Sequence, residues 1–218
     1  MNAGYRPLSA RLCQEARADL QAWLDLPIPA GIAAGTLPVA VFRTYLEQDY
    51  HYLRNLARVY AKLVVVAPDR HIGELLGLAW SVQTIEMVDQ SDASELFGCD
   101  FATSTMDALT RSYLDFLLEQ AQSYAAGLVA MVPCTWGYGE ALQAIPTARA
   151  GAYRPWLNTY CSASYRQIVE RVLALVDDVE LDWDEACRIL HTGMAFEADF
   201  WSRPASRPAS TSELRRAA

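Results

Sequence analysis

Apolar residues recur at helical spacing along most of the chain, and strict alternation of the kind that marks strands is almost absent. The stretch "VFRTYLEQDYHYLRNLARVY", residues 41–60, shows the pattern at its clearest. Phe42, Tyr45, Leu46, Tyr52, Leu53 and Leu56 share a face there, and Asp49 interrupts it. Leu190, Met194, Glu197 and Trp201 step along a later segment in the same way, again with an acid in the row. Burying a carboxyl is costly unless it is hydrogen-bonded or protonated. Several acids in apolar rows therefore predict a bundle built around an internal polar pocket.

Punctuation divides the pattern into elements. Ser9 is placed to cap a first helix ending near Leu26, with "PIPAGIAAGTLP" as the connection that follows. A second helix runs from about Pro38 to Val66, and after the turn "APDRH" a third covers about 70–96. "FGCDF" breaks the pattern, and the segment from Thr103 to Pro133 reads as two helices joined near Ser123. "PCTWGYGEALQAI" reads as the opening of a new helix, "PTARAGA" as a loop, and 153–179 as one or two helices. Asp182 or Asp184 caps the closing helix. The expected architecture is an all-α bundle forming one domain over 1–201. The polar, Pro-rich "SRPASRPASTSELRRAA" at 202–218 is read as a disordered tail.

Charge narrows the partners. The net charge is −8, with 202–218 contributing +3 and the rest −11. So acidic a body repels phosphate backbones and anionic lipid, which sets aside nucleic acid and membrane surfaces. Five cysteines without a C-x-x-C pair, and no apolar signal core near Met1, point to reduced thiols in a cytoplasmic protein. "KLVVVAP" is too short to span a bilayer. With only His51, His71 and His191 and no E-x-x-H pair, a di-iron carboxylate centre lacks its usual ligands, and no metal or cofactor is expected.

Four stretches carry a resemblance. "FRTYLEQDYHYL", "VPCTWGYGE", "YRPWLNTY" and "FEADFW" resemble, in order, motifs of the TenA family, also called thiaminase II. They bracket residues from about 35 to 201. The resemblance implies a haem-oxygenase-like helical fold without haem, commonly a homotetramer. It also implies a thiamin-salvage hydrolase that frees 4-amino-5-hydroxymethyl-2-methylpyrimidine from its aminomethyl counterpart or from thiamin. By the same resemblance Asp49 holds the aminopyrimidine, Cys134 is the nucleophile and Glu197 the acid near a ring nitrogen. Tyr52, Tyr113, Tyr138 and Tyr160 line the pocket, and Glu86 faces it. Gln90 stands where many members carry histidine.

Cys134 follows Pro133, so a helix N-terminus there would favour the thiolate, with Tyr138 one turn on to orient it. Other readings use the same pocket differently. They are a relative acting on another amine or pyrimidine, and a pyrimidine-binding regulator without turnover.

Overall fold

A computed structural model describes residues 6–87 and 95–204, and among these residues there is no strand. Gln90 and the segment 205–218 lie outside the described residues. The chain order is α1 (Leu8–Glu15), α2 (Arg17–Trp23), α3 (Pro27–Ala34), α4 (Val39–Val66) and α5 (Asp69–Ser81). These are followed by α6 (Ala108–Gln120), α7 (Tyr124–Ala130), α8 (Tyr138–Ala144), α9 (Arg154–Tyr160), α10 (Ala163–Asp177) and α11 (Trp183–Trp201). Helix α4 packs most extensively on α5 and α6, while α11 closes the bundle against α6 and α7. Its stripe is buried as the spacing predicts, Phe42 and Leu46 completely.

The N-terminal reading needs correction. Ser9 is no cap: the helix already begins at Leu8, and the Ser9 amide donates to Asp177 Oδ1 at 2.8 Å. The expected single helix to Leu26 is broken at Ala16 and again before Pro27. "PIPAGIAA", expected as a connection, is helix α3. Pro27 occupies its first turn, where a missing amide costs nothing, and Gly35 ends it at φ 71°.

Later signals hold. Ser123 accepts from the Ala126 amide and separates α6 from α7. Asp182, rather than Asp184, caps α11 by accepting from the amides of Asp184 and Glu185. The chain also stays packed past the expected boundary at 201. Arg203 is buried, donates to Asp107 and to Thr110 Oγ1 (2.8 Å), and lies 4.0 Å over the Phe200 ring. Burial alone would raise the Asp107 pKa, but the Thr110 amide and the Arg203 guanidinium outweigh it and hold the carboxyl low.

Two helical runs widen into π turns, at Val82–Glu86 and Pro133–Gly137. Pro133 has no amide hydrogen, and its ring cannot pass the carbonyl four residues back in a tight α turn. The Tyr165 hydroxyl donates to the Thr135 carbonyl at 3.1 Å, satisfying an oxygen at that turn. Gly193 on α11 lets the final helix pass against this segment: a Cβ there would stand 2.7 Å from Pro133 Cγ. Gly193→Ala should therefore destabilise the protein by about 1–3 kcal/mol despite its better helix propensity. Urea unfolding at constant pH checks this.

Candidate active site

The inward faces of α4, α6, α8, α9 and α11 and the two π turns line one pocket. Asp49, Tyr52, Glu86, Tyr113, Cys134, Tyr138, Tyr160 and Glu197 all line it. Every site residue expected from the sequence is thus brought to one chamber. Tyr45, Leu53, Leu56 and Phe200 complete the lining and were missed. Spacing could have found them: Tyr45, Leu53 and Leu56 stand four before, four after and seven after Asp49, and Phe200 three after Glu197.

Glu197, 4% exposed, is the best-defined polar group. Tyr113 donates to its Oε1 at 2.7 Å. Removal from water pushes its pKa up to about 8, Asp49 adds to the rise, and the Tyr113 bond offsets part of it. At neutral pH this carboxyl keeps its proton. Tyr113 is itself wedged between stacked rings, Tyr52 at 5.1 Å and Phe196 at 5.0 Å.

Cys134 departs from expectation. Met131 and Val132 keep right-handed helical angles, so α7 leads into the π turn and α8 without a fresh start. No row of unpaired amides faces the sulfur, and the expected help from a helix N-terminus is missing. The thiol lies 3.3 Å from the Met131 carbonyl as its donor. Desolvation first, then Glu197 and Glu86, push it up to about 12, against the pull of Tyr52 and Thr135. At rest it is a thiol. The Tyr52 hydroxyl, which has no protein partner of ordinary hydrogen-bond geometry among the described residues, is the phenol placed to stabilise a thiolate.

Tyr138, expected to orient the sulfur, instead shares a short hydrogen bond with Tyr45. Its ring packs edge-on against Tyr160 and Trp201, at 4.8 and 5.1 Å. Asp49 is 6% exposed; burial raises the pKa of Tyr45, Tyr138 and Tyr160, Asp49 adds to the rise, and these phenols stay protonated beside it. The arrangement offers an aromatic pocket lined by three acids and one sulfur.

None of the three histidines lines the cavity. His51 bonds Ser104, His71 sits between Tyr124 and Asp178, and His191 between Asp19 and Glu15. Among the described residues no group of three side chains could hold a metal, and no helix is long and apolar enough to cross a membrane.

Solved structures share the architecture. A TenA homologue from P. horikoshii OT3 superposes with a TM-score of 0.79 at 27% identity, over 90% of this chain and 97% of that one. A domain with a heme oxygenase-like fold from Shewanella denitrificans superposes at 0.69 with 15% identity, a likeness of fold alone. In sequence the chain is 29% identical over 136 residues to the thiamine biosynthesis multifunctional protein ThiED of Corynebacterium glutamicum. That match covers 60% of this chain and 17% of that longer protein, and the Corynebacterium efficiens counterpart is covered to 22%. It is 26% identical to an aminopyrimidine aminohydrolase of Halalkalibacterium halodurans, over 78% of this chain and 80% of that one. The TENA/THI-4/PQQC family model matches residues 27–207, most of the chain, and the protein belongs to that family.

Proposed function

We propose that the protein is an aminopyrimidine hydrolase, replacing the amine of 4-amino-5-aminomethyl-2-methylpyrimidine with hydroxyl and also accepting thiamin. The observation that carries this reading is the presence of a half-buried, protonated thiol and a protonated Glu197 in one aromatic pocket that also holds Asp49. The relatives named aminopyrimidine aminohydrolase support it.

The chemical difficulty is the leaving group: direct loss of the amine would leave a bare carbocation. Sulfur addition to the ring carbon beside the one bearing the methylene avoids this. As the carbon–sulfur bond forms, Glu197 gives its proton to the adjacent ring nitrogen and collects the thiol proton. No net charge builds up, which suits a chamber where the thiol is not ionised beforehand. Glu197 at about 8 can both give and take a proton.

The ring is then an enamine. The lone pair of its 4-amino nitrogen pushes through the ring double bond and expels the protonated amine as ammonia. The positive charge left on the 4-amino nitrogen is accepted by Asp49. Water adds to the exocyclic methylene and passes a proton to the departing ammonia. Loss of sulfur from the ring carbon, with return of the ring-nitrogen proton, restores the aromatic ring and the thiol. The balance is substrate ammonium and water in, alcohol and ammonium ion out. Tyr52 stabilises sulfur while it carries negative charge, and the rings of the cavity hold the pyrimidine flat. The same reading carries a homotetrameric, cytoplasmic protein.

Incubation with the aminomethylpyrimidine should release ammonia and the hydroxymethyl product in equal amounts. Cys134→Ser should leave only traces of turnover while still binding substrate; ordinary turnover in that variant removes sulfur as the nucleophile.

Glu197 makes a pH prediction. Its protonated form is the competent one, so kcat/KM should fall above about pH 8. Glu197→Gln should lower kcat by about 10²–10⁴-fold and abolish that alkaline limb.

The same group has a stability signature of opposite sense to an ordinary salt-bridged acid. Between about 4.5 and 8 the folded state holds a proton that the unfolded chain releases, so this group's contribution to stability declines as pH rises through that window. Glu197→Gln should thus gain stability relative to the parent from pH 5 to 8 and hold that gain above it. Thermal unfolding across that range measures the difference.

A further inference from the structure

Helices α6 and α11 carry the two halves of the Tyr113–Glu197 bond, and they run antiparallel. Thr110 meets Arg203, Tyr113 meets Glu197 at 2.7 Å, and Phe116 meets Phe196 with ring centroids 5.5 Å apart. The apolar part of this contact is a set of packed rings, with Tyr113 lying on Phe196 at an interplanar angle of 8°. Stacking and burial hold two helices together without fixing where along each other they stop. A slip of about 1 Å would leave the rings in contact and still take the Tyr113 hydroxyl out of hydrogen-bond range of Glu197. Something directional has to set the register.

Arg203 supplies it. It stands just past the end of α11, three residues after Phe200, with its side chain 4% exposed. One arm of the guanidinium donates to the Asp107 carboxylate and the other to Thr110 Oγ1 at 2.8 Å. Its central carbon lies 4.0 Å from the ring centroid of Phe200, which lines the pocket. Thr110 extends the tie to α4: its hydroxyl donates to Gln48 Oε1 at 3.0 Å, which also accepts from the Asp107 amide at 2.9 Å. Gln48 Nε2 donates to the Thr105 carbonyl at 2.9 Å. Every direction here is forced. Arginine can only donate and the Thr105 carbonyl can only accept, so the Gln48 amide has one orientation and the Thr110 hydroxyl one role toward each neighbour. Gln48 precedes Asp49, Thr110 lies one turn before Tyr113, and Arg203 follows Glu197 by six residues. One buried knot thus joins the three helices that bring Asp49, Tyr113 and Glu197 to the pocket.

An apolar side chain could cover Phe200 as well as arginine does. It would also avoid burying a charge whose Nε finds no hydrogen-bond partner among the described residues. What the planar fork adds is geometry. We infer that Arg203, which does not itself line the pocket, is a positioning residue of the active site: through Asp107, Thr110 and Gln48 it sets the register of α6 and α11, and with it the aim of Glu197 at the ring nitrogen.

The inference rests on the proposed hydrolysis, and steady-state kinetics with the aminomethylpyrimidine separates the two. Asp107→Asn combined with Arg203→Met removes both charges together, and asparagine still offers an oxygen to cap α6. This double variant should unfold at a urea concentration close to that of the parent. Its kcat should fall about 10- to 100-fold while KM moves less than about threefold, because a misaimed acid is felt in the transition state rather than in the bound ground state. Arg203→Lys keeps the charge without the fork, and its kcat should stand about 3- to 10-fold below the parent. A parent-like kcat in the folded double variant overturns the role of Arg203 and leaves the hydrolase reading in place. So does a loss of rate that only follows the unfolded fraction and disappears on cooling. If the double variant does not fold, Arg203→Lys decides alone, by a lowered kcat at unchanged KM or by a parent-like one. If the parent itself releases no ammonia from the aminomethylpyrimidine, the hydrolase reading fails and takes this inference with it.

Discussion

A carboxyl group removed from water must keep its proton or find donors, and inside a helical bundle donors are scarce because the backbone has already paired its own. Glu197 does both: it is protonated, and Tyr113 donates to it at 2.7 Å. That bond fixes more than one side chain. Tyr52 and Phe196 both stack on the Tyr113 ring, and Tyr52 in turn stands beside the Cys134 sulfur. The phenols are therefore both wall and solvent, giving a polar interior a packing density that water could not.

Much of the bundle was legible from spacing because most of its helices are regular. The stripe of α4, the cap at Ser123 and the cap at Asp182 each rest on local chemistry that tertiary contacts do not override. Failures came where one residue admits two geometries. Pro133 reads as the start of a helix, since proline is welcome in a first turn, yet here it sits inside a run and widens it. Pro27 raises the opposite difficulty: it begins a helix in a stretch whose prolines and glycines look like a loop. Neither ambiguity can be resolved without knowing what packs alongside, Tyr165 and Gly193 in the first case.

The chamber was legible in a different way. Asp49 and Glu197 stand out by position alone, as acids in apolar rows. Cys134, Tyr52, Tyr113, Tyr138, Tyr160 and Glu86 do not, because tyrosines and a lone cysteine are ordinary core residues until something polar is known to face them. Resemblance to a family supplied that knowledge. The interior state of the thiol was out of reach of either route, since it depends on desolvation by the assembled bundle.

Arg203 gives the closing helix a second kind of value. Its guanidinium covers Phe200 from outside while tying into Asp107, the cap of α6, and into Thr110 within it. Pull or torque entering the chain from beyond Pro204 would meet this rivet before reaching the wall of the chamber. Held in this fashion, the chamber wall is shielded from strain arriving along the chain that follows it.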